Sequence, residues 1–367
     1  MPAFRYLLRL DTTLGLALDS HDAAKSGDCR RLTALLIGAA LWVTVVACER
    51  VSSPQGPSDQ TATSVRTSSP SPSVLPVACG TRPGPRGGLA FAYMNNLEQG
   101  VLFGGQDSNN RYLNDTWAWK AGCWSQLAPL HSPPPLVAPA ATYDTVRKIV
   151  VMYGIYYQGS GWAAGTWSWN GLDWVATTTV VPVFPALPLA YDPNSQRVIL
   201  FGESLVGGLP QTWAFDGNQW QQLSPSTQPT HRQQAGMTLD PTTNSLLLFG
   251  GISGDNNQEL GDTWSWNGTN WTKLNPATSP PSRANATMVT SSSLGRVVLI
   301  GGEHAPSVLA DAWTWDGQTW SPMSSIGPRE GARAIDTGSQ IVVFGGWTDK
   351  QVSNDVWSWN GTAWASE

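Results

Sequence analysis

Six copies of one pattern dominate the chain. In each, an apolar run closes on glycine and is followed by Thr-Trp-x-Trp-Asn/Asp-Gly-x-x-Trp or a close variant. The first tryptophan of the pattern stands at Trp117, Trp167, Trp213, Trp264, Trp313 and Trp357, at intervals of 44 to 51 residues. A period of that length marks a repeat architecture, in which one supersecondary unit buries its faces only against its neighbours.

Each unit reads as four short strands, giving an all-β fold. The second strand is an aliphatic run ending in glycine, as in Val101-Leu102-Phe103-Gly104-Gly105, Leu246 to Gly251, Val297 to Gly302 and Ile341 to Gly346. These runs are too short for an ordinary helix and rich in strand-forming residues. Their glycines suit a bulge or the close approach of a neighbouring backbone. The third and fourth strands form a hairpin around Asn170-Gly171, Asp216-Gly217, Asn267-Gly268, Asp316-Gly317 and Asn360-Gly361, dipeptides that favour a two-residue type I′ turn. With that turn, Trp169 opposes Leu172 and Trp167 opposes Trp174. The same count predicts five more cross-strand pairs: Trp117/Trp124, Trp213/Trp220, Trp264/Trp271, Trp313/Trp320 and Trp357/Trp364.

The paired glycines, the spaced tryptophans and the period of roughly 50 residues resemble kelch repeats, the blades of a β-propeller. The resemblance covers about residues 84 to 366. It implies six blades of four antiparallel strands around a central channel, with residues 79–367 as the propeller. Strand exchange between the two termini, often used to close such rings, is not evident, because the sixth unit reads as one continuous stretch.

Residues 1–48 form an N-terminal extension and signal. Arg30-Arg31 precede an apolar run from Leu32 to Ala47 that ends at Cys48. That order matches a secretory signal, and Val45-Val46-Ala47-Cys48 resembles a bacterial lipobox, in which the cysteine is lipidated. An uncleaved membrane anchor is the other reading. Residues 49–78 are rich in Ser, Thr, Pro and Gln, a composition that cannot bury a core and suits a flexible linker. The expectation is an extracytoplasmic lipoprotein held at the cell envelope. An oxidising compartment would also permit a disulfide between Cys79 and Cys123, with two free thiols as the alternative.

Function is less constrained. Lys and Arg number 21 against 26 Asp and Glu, a net charge of −5 with no basic stripe, so nucleic acid is not expected as a partner. No cofactor or metal is expected either. His131, His231 and His304 fall singly in separate loops, without the ligand count a metal needs. Arg86, Arg232, Arg283 and Arg329 share one frame at the start of the innermost strand, where Leu136 and Phe184 stand in units two and three. If that strand lines the channel, the four guanidinium groups ring one mouth and suit an anionic ligand. Otherwise each donates to carbonyls of the loop before it. Trp162 and Trp347 lie outside the repeat frame, in the variable loops after the glycines, and Tyr156 and Tyr157 join Trp162. These aromatics suggest a recognition surface for a protein or a glycan, or they fold back over their own loops. The reading is a monomeric, membrane-tethered binding module. The alternatives are a kelch-type sugar-processing enzyme, mutarotase- or lyase-like and acting on an acidic sugar, and a structural envelope protein.

Overall fold

The second strand of every repeat is apolar on both sides, so it must be sandwiched on both faces. The computed structural model meets that demand by standing six twisted sheets side by side. It describes residues 79–367 except 160, 178–180, 182–185 and 205–207; Cys48 and Phe184 lie outside the described residues. Each blade is a four-stranded antiparallel sheet of consecutive strands. Blade 1 runs through Ala90–Met94, Gln99–Gln106, Tyr112–Lys120 and Cys123–Leu127, and blade 6 through Arg333–Asp336, Ile341–Trp347, Val352–Trp359 and Trp364–Ser366. The core is divided into inter-blade layers rather than centred on one point. Phe103 and Met94 of blade 1 pack with Met152 and Trp169 of blade 2, and Phe91 and Leu102 pack with Ile335 and Phe344 of blade 6.

The hairpin register differs from the sequence expectation. Trp169 pairs with Trp174, and Trp167 pairs with Ala176. The same shift holds for Trp119/Trp124, Trp266/Trp271, Trp315/Trp320 and Trp359/Trp364, with Phe215/Trp220 in blade 3. Blade 1 reaches its pairing through a two-residue turn at Ala121-Gly122, both at positive φ, with Lys120 paired to Cys123; in the other blades the Asn/Asp-Gly turn is the reason. Asn170 N donates to Asp173 O, closing a four-residue loop, while Asn170 Oδ1 accepts from the amides of Leu172 and Asp173. Only Gly171 has positive φ, at 99°, whereas a type I′ turn requires it at both central residues. Asparagine or aspartate is therefore used here for its side-chain acceptor.

The threonine of the motif is an inter-blade acceptor. Trp174 Nε1 donates to Thr116 Oγ1, Trp220 to Thr166, Trp271 to Thr212 and Trp320 to Thr263, always from one blade to the one before it. Blade 6 carries Val356 in the threonine position, and Trp124 Nε1 of blade 1 is left buried with no partner.

The ring closes without strand exchange. Gly346 N of blade 6 donates to Arg86 O at 2.9 Å, the same bond that joins blades 4 and 5 (Gly251 to Arg283) and blades 5 and 6 (Gly302 to Arg329). A strap from Cys79 onward reinforces this junction. Cys79 and Cys123 form a disulfide with Cα atoms 4.8 Å apart, Gly80 N donates to Trp124 O, and Asn354 Nδ2 donates to Pro83 O.

Candidate functional site on the loop face

The inter-blade junctions and the loops after the glycine pairs share one face, since Arg283 N donates to Leu260 O and Arg329 N to Leu309 O of the preceding blade's loop. The four repeating arginines organise this face from beneath. Arg86, Arg232, Arg283 and Arg329 are at most 3 % exposed. Each makes a two-pronged ion pair with the aspartate two residues before its own blade's first motif tryptophan: Asp115, Asp262, Asp311 and Asp355, at 2.5 to 3.2 Å. Each also donates to the carbonyl of the first glycine of its pair, as Arg283 does to Gly301 at 2.9 Å. The aspartate in turn accepts from the tryptophan indole, for instance Trp313 Nε1 at 2.6 Å.

The expectation of an arginine ring open to an anion is therefore corrected. The guanidinium donors, Arg329 Nε excepted, are already occupied, while the backbones of Arg86, Arg283 and Arg329 bond the blade before. Burial is the largest single influence and would raise the carboxyls of Asp262, Asp311 and Asp355, but the arginine hydrogen bonds and charge, together with the tryptophan indoles, outweigh it and hold all three below the usual carboxylate range. Blades 2 and 3 lack both partners together. Gly165 and Gln211 replace the aspartate. Leu136 packs against Gly154, and Leu187 fills the equivalent space against Gly202.

A second six-fold feature surrounds the channel mouth. Gly88, Ala138, Ala186, Gln234, Asn285 and Gly331, one per blade, all have positive φ between 40° and 60°. Their backbones are linked around the ring: Gln234 N donates to Ala186 O, Asn285 N to Gln234 O, Gly331 N to Asn285 O and Gly88 N to Gly331 O. Above this ring, Asn285 Nδ2 donates to Glu303 Oε1 at 3.1 Å and approaches Glu330 Oε2 at 3.5 Å. Burial, and then the charge of Glu303, push Glu330 up to about 8. His231 bridges two acids, with Nε2 2.8 Å from Asp255 and Nδ1 3.5 Å from the buried Glu203. The channel below has a volume of about 100 Å³, well under the roughly 300–1,000 Å³ of small-molecule pockets.

The loop aromatics divide into two kinds. Trp347 is half-buried, and its ring lies against Gly87, Gly88 and Gly331, where any Cβ would collide with it. It packs over the junction of blades 6 and 1. Tyr156 also turns inward and meets Trp167 edge-on at 5.9 Å, while Gly165 leaves room for the same indole. Tyr157 and Trp162 face outward, 64 % and 50 % exposed, as an edge-to-face pair at 5.5 Å. The ribbon that carries them continues five residue pairs past Tyr153↔Thr166, to Gln158↔Gly161. At about 3.3 Å per residue that is an extension of about 16 Å, whereas the corresponding pairing in blade 4 ends at Phe249↔Thr263. Leu209, in the loop of the adjacent blade 3, is 65 % exposed.

Residues 195–364 match the model of the KLHDC2/KLHL20/DRC7 Kelch-repeats domain. The solved structure of YjhT is similar over 80 % of this chain and 100 % of that chain, with a TM-score of 0.62 and 14 % identity, a likeness of fold. No curated protein matches the chain significantly.

Proposed function

We propose that this β-propeller, whose residues 195–364 match a Kelch-repeats domain, is a recognition module that binds a protein partner through the loop face. The observation that carries this reading is the exposed Tyr157–Trp162 pair at the tip of the extended blade 2 ribbon. Tryptophan and tyrosine are the residues that most often dominate binding energy when they enter a partner's pocket. A projecting apolar tip suits such insertion, whereas a glycan is usually held on a platform or in a cleft. Leu209 extends the same apolar edge onto blade 3. We further place the propeller outside the cytoplasm, tethered through Cys48 and the linker of residues 49–78. The apolar run before Cys48 and the Cys79–Cys123 bond support that placement.

The test is a site-specific photo-crosslinking scan of the full chain in its native cells. A probe at position 157 or 162 should capture one discrete partner that probes at Val146 and Leu172, exposed in turns at the other end of the strands, do not. Equal capture from both sets would defeat the reading. Glycan-array binding abolished by Trp162→Ala would replace the protein partner with a carbohydrate. Lipid labelling that persists in Cys48→Ser would remove the tether.

A further inference from the structure

The innermost strands set six equivalent positions around the channel, each beside the residue that precedes the glycine motif on the second strand. Pairing fixes five of them: Ala90↔Phe103, Ala140↔Tyr153, Gly236↔Phe249, Thr287↔Ile300 and Arg333↔Phe344. In blade 3, Phe201 N donates to Pro188 O, which places Pro188 sixth. Five blades thus put a small residue at this level, and blade 6 alone puts an arginine there.

Arg333 lines the channel together with Ala140, Pro188, Gly236, Thr287 and Gln234. Among the described residues its one hydrogen bond runs from Nη1 to the carbonyl of Ala332, at 2.8 Å. Among the described residues no carboxylate pairs with it, in contrast to the other four junction-strand arginines. Burial with no compensating anion pushes the guanidinium down to about 10. Gln234 also lines the channel; its Oε1 is an acceptor buried without a hydrogen bond, so it is the Nε2 amide that can donate to an anion. Arg333 is half-buried and lines a channel whose exposed surface is mostly polar, so an anion there would gain a guanidinium partner without entering a dry site. Guanidinium donors match a carboxylate in two-pronged geometry.

We infer that the central channel is a binding site for a small carboxylate, held by the guanidinium of Arg333 with the amide of Gln234 beside it. The volume of about 100 Å³ admits a group of acetate or lactate size, which could be a free acid or an acidic side chain reaching in from the loop face. The site is separate from the Tyr157–Trp162 tip, so either can fail without the other.

The test uses the purified full chain and sodium acetate, titrated against sodium chloride at constant ionic strength and read as thermal shift and as 13C-acetate line broadening. Acetate should give a saturable response that Arg333→Gln weakens at least tenfold and Gln234→Asn weakens several-fold. Arg333→Lys, which keeps the charge and loses the fork, should retain part of it, and Tyr157→Ala/Trp162→Ala should retain all of it. Should Arg333→Gln fail to fold, Arg333→Lys and Gln234→Asn decide the matter. Tighter binding of the blocked tripeptide acetyl-Ala-Glu-Ala-amide, lost in Arg333→Gln, would identify the source as a partner's side chain. Acetate binding alone would identify a free acid. Equal responses to acetate and chloride, or a response unchanged in all three channel variants, would overturn the inference.

Discussion

Removing either half of an arginine–aspartate staple should have unequal consequences, and the blade 5 pair shows why. Arg283 is 1 % exposed and donates to Asp311 at 2.6 and 2.7 Å, to Gly301 O at 2.9 Å and to Pro281 O at 3.1 Å. Asp311→Ala strands that charge in the core with two neutral acceptors, a loss of about 3–5 kcal/mol. Arg283→Met removes the charge itself. The Asp311 side chain is 38 % exposed and keeps Trp313 Nε1, so it rehydrates. What remains is two carbonyls without their donor, about 1 kcal/mol each. The expected order is Asp311→Ala worse than Arg283→Met, by about 1–3 kcal/mol on those figures. The double variant should lie near Arg283→Met, because the stranded charge is absent, which implies a coupling as large as the Asp311→Ala loss, about 3–5 kcal/mol, in the cycle. Urea unfolding followed by tryptophan fluorescence measures all four corners. An Asp311→Ala loss no larger than that of Arg283→Met, or additivity within 0.5 kcal/mol, would refute the staple as described.

Three further outcomes are expected. Val356→Thr should stabilise the protein by up to about 1 kcal/mol by giving the orphaned Trp124 Nε1 the acceptor that Thr116, Thr166, Thr212 and Thr263 give their partners; denaturant midpoints test it. Gly301→Ala should cost about 1–2 kcal/mol more than Gly295→Ala. Both glycines have φ near 60°, but a Cβ at Gly301 meets the carbonyl of Arg329 and one at Gly295 meets open space. Glu330 keeps its proton in the fold to about pH 8 and releases it near 4.5 when unfolded. Folding is therefore favoured at the low end of that window and weakens as pH rises through it. Glu330→Gln should flatten this slope, with its largest relative gain in melting temperature near pH 8.

The propeller was legible because its signals are local and repeated six times: aliphatic runs, glycine pairs and turn dipeptides. The hairpin register was not, because Asn-Gly serves both a two-residue turn and the four-residue loop found here, and only the backbone angle of the asparagine separates them. The arginine frame was visible, but its chemistry depends on a partner 26 to 30 residues away. A signal for it did exist within the chain: the blades that carry Arg86, Arg232, Arg283 and Arg329 also carry Asp115, Asp262, Asp311 and Asp355, and blades 2 and 3 lack both. Trp162 and Trp347 looked alike as unrepeated loop aromatics. Gly87, Gly88 and Gly331 cover one of them, and no sequence pattern announces that contact. Arg333 went unnoticed because its meaning lies in the smallness of five residues from other blades.

The most direct test of recognition through the loop face is the affinity of the crosslinked partner for the full chain and for two double variants. The account predicts that Tyr157→Ala/Trp162→Ala weakens binding at least thirtyfold, about 2 kcal/mol, while Val146→Ala/Leu172→Ala leaves it unchanged. The opposite pattern, or equal losses in both, would contradict it.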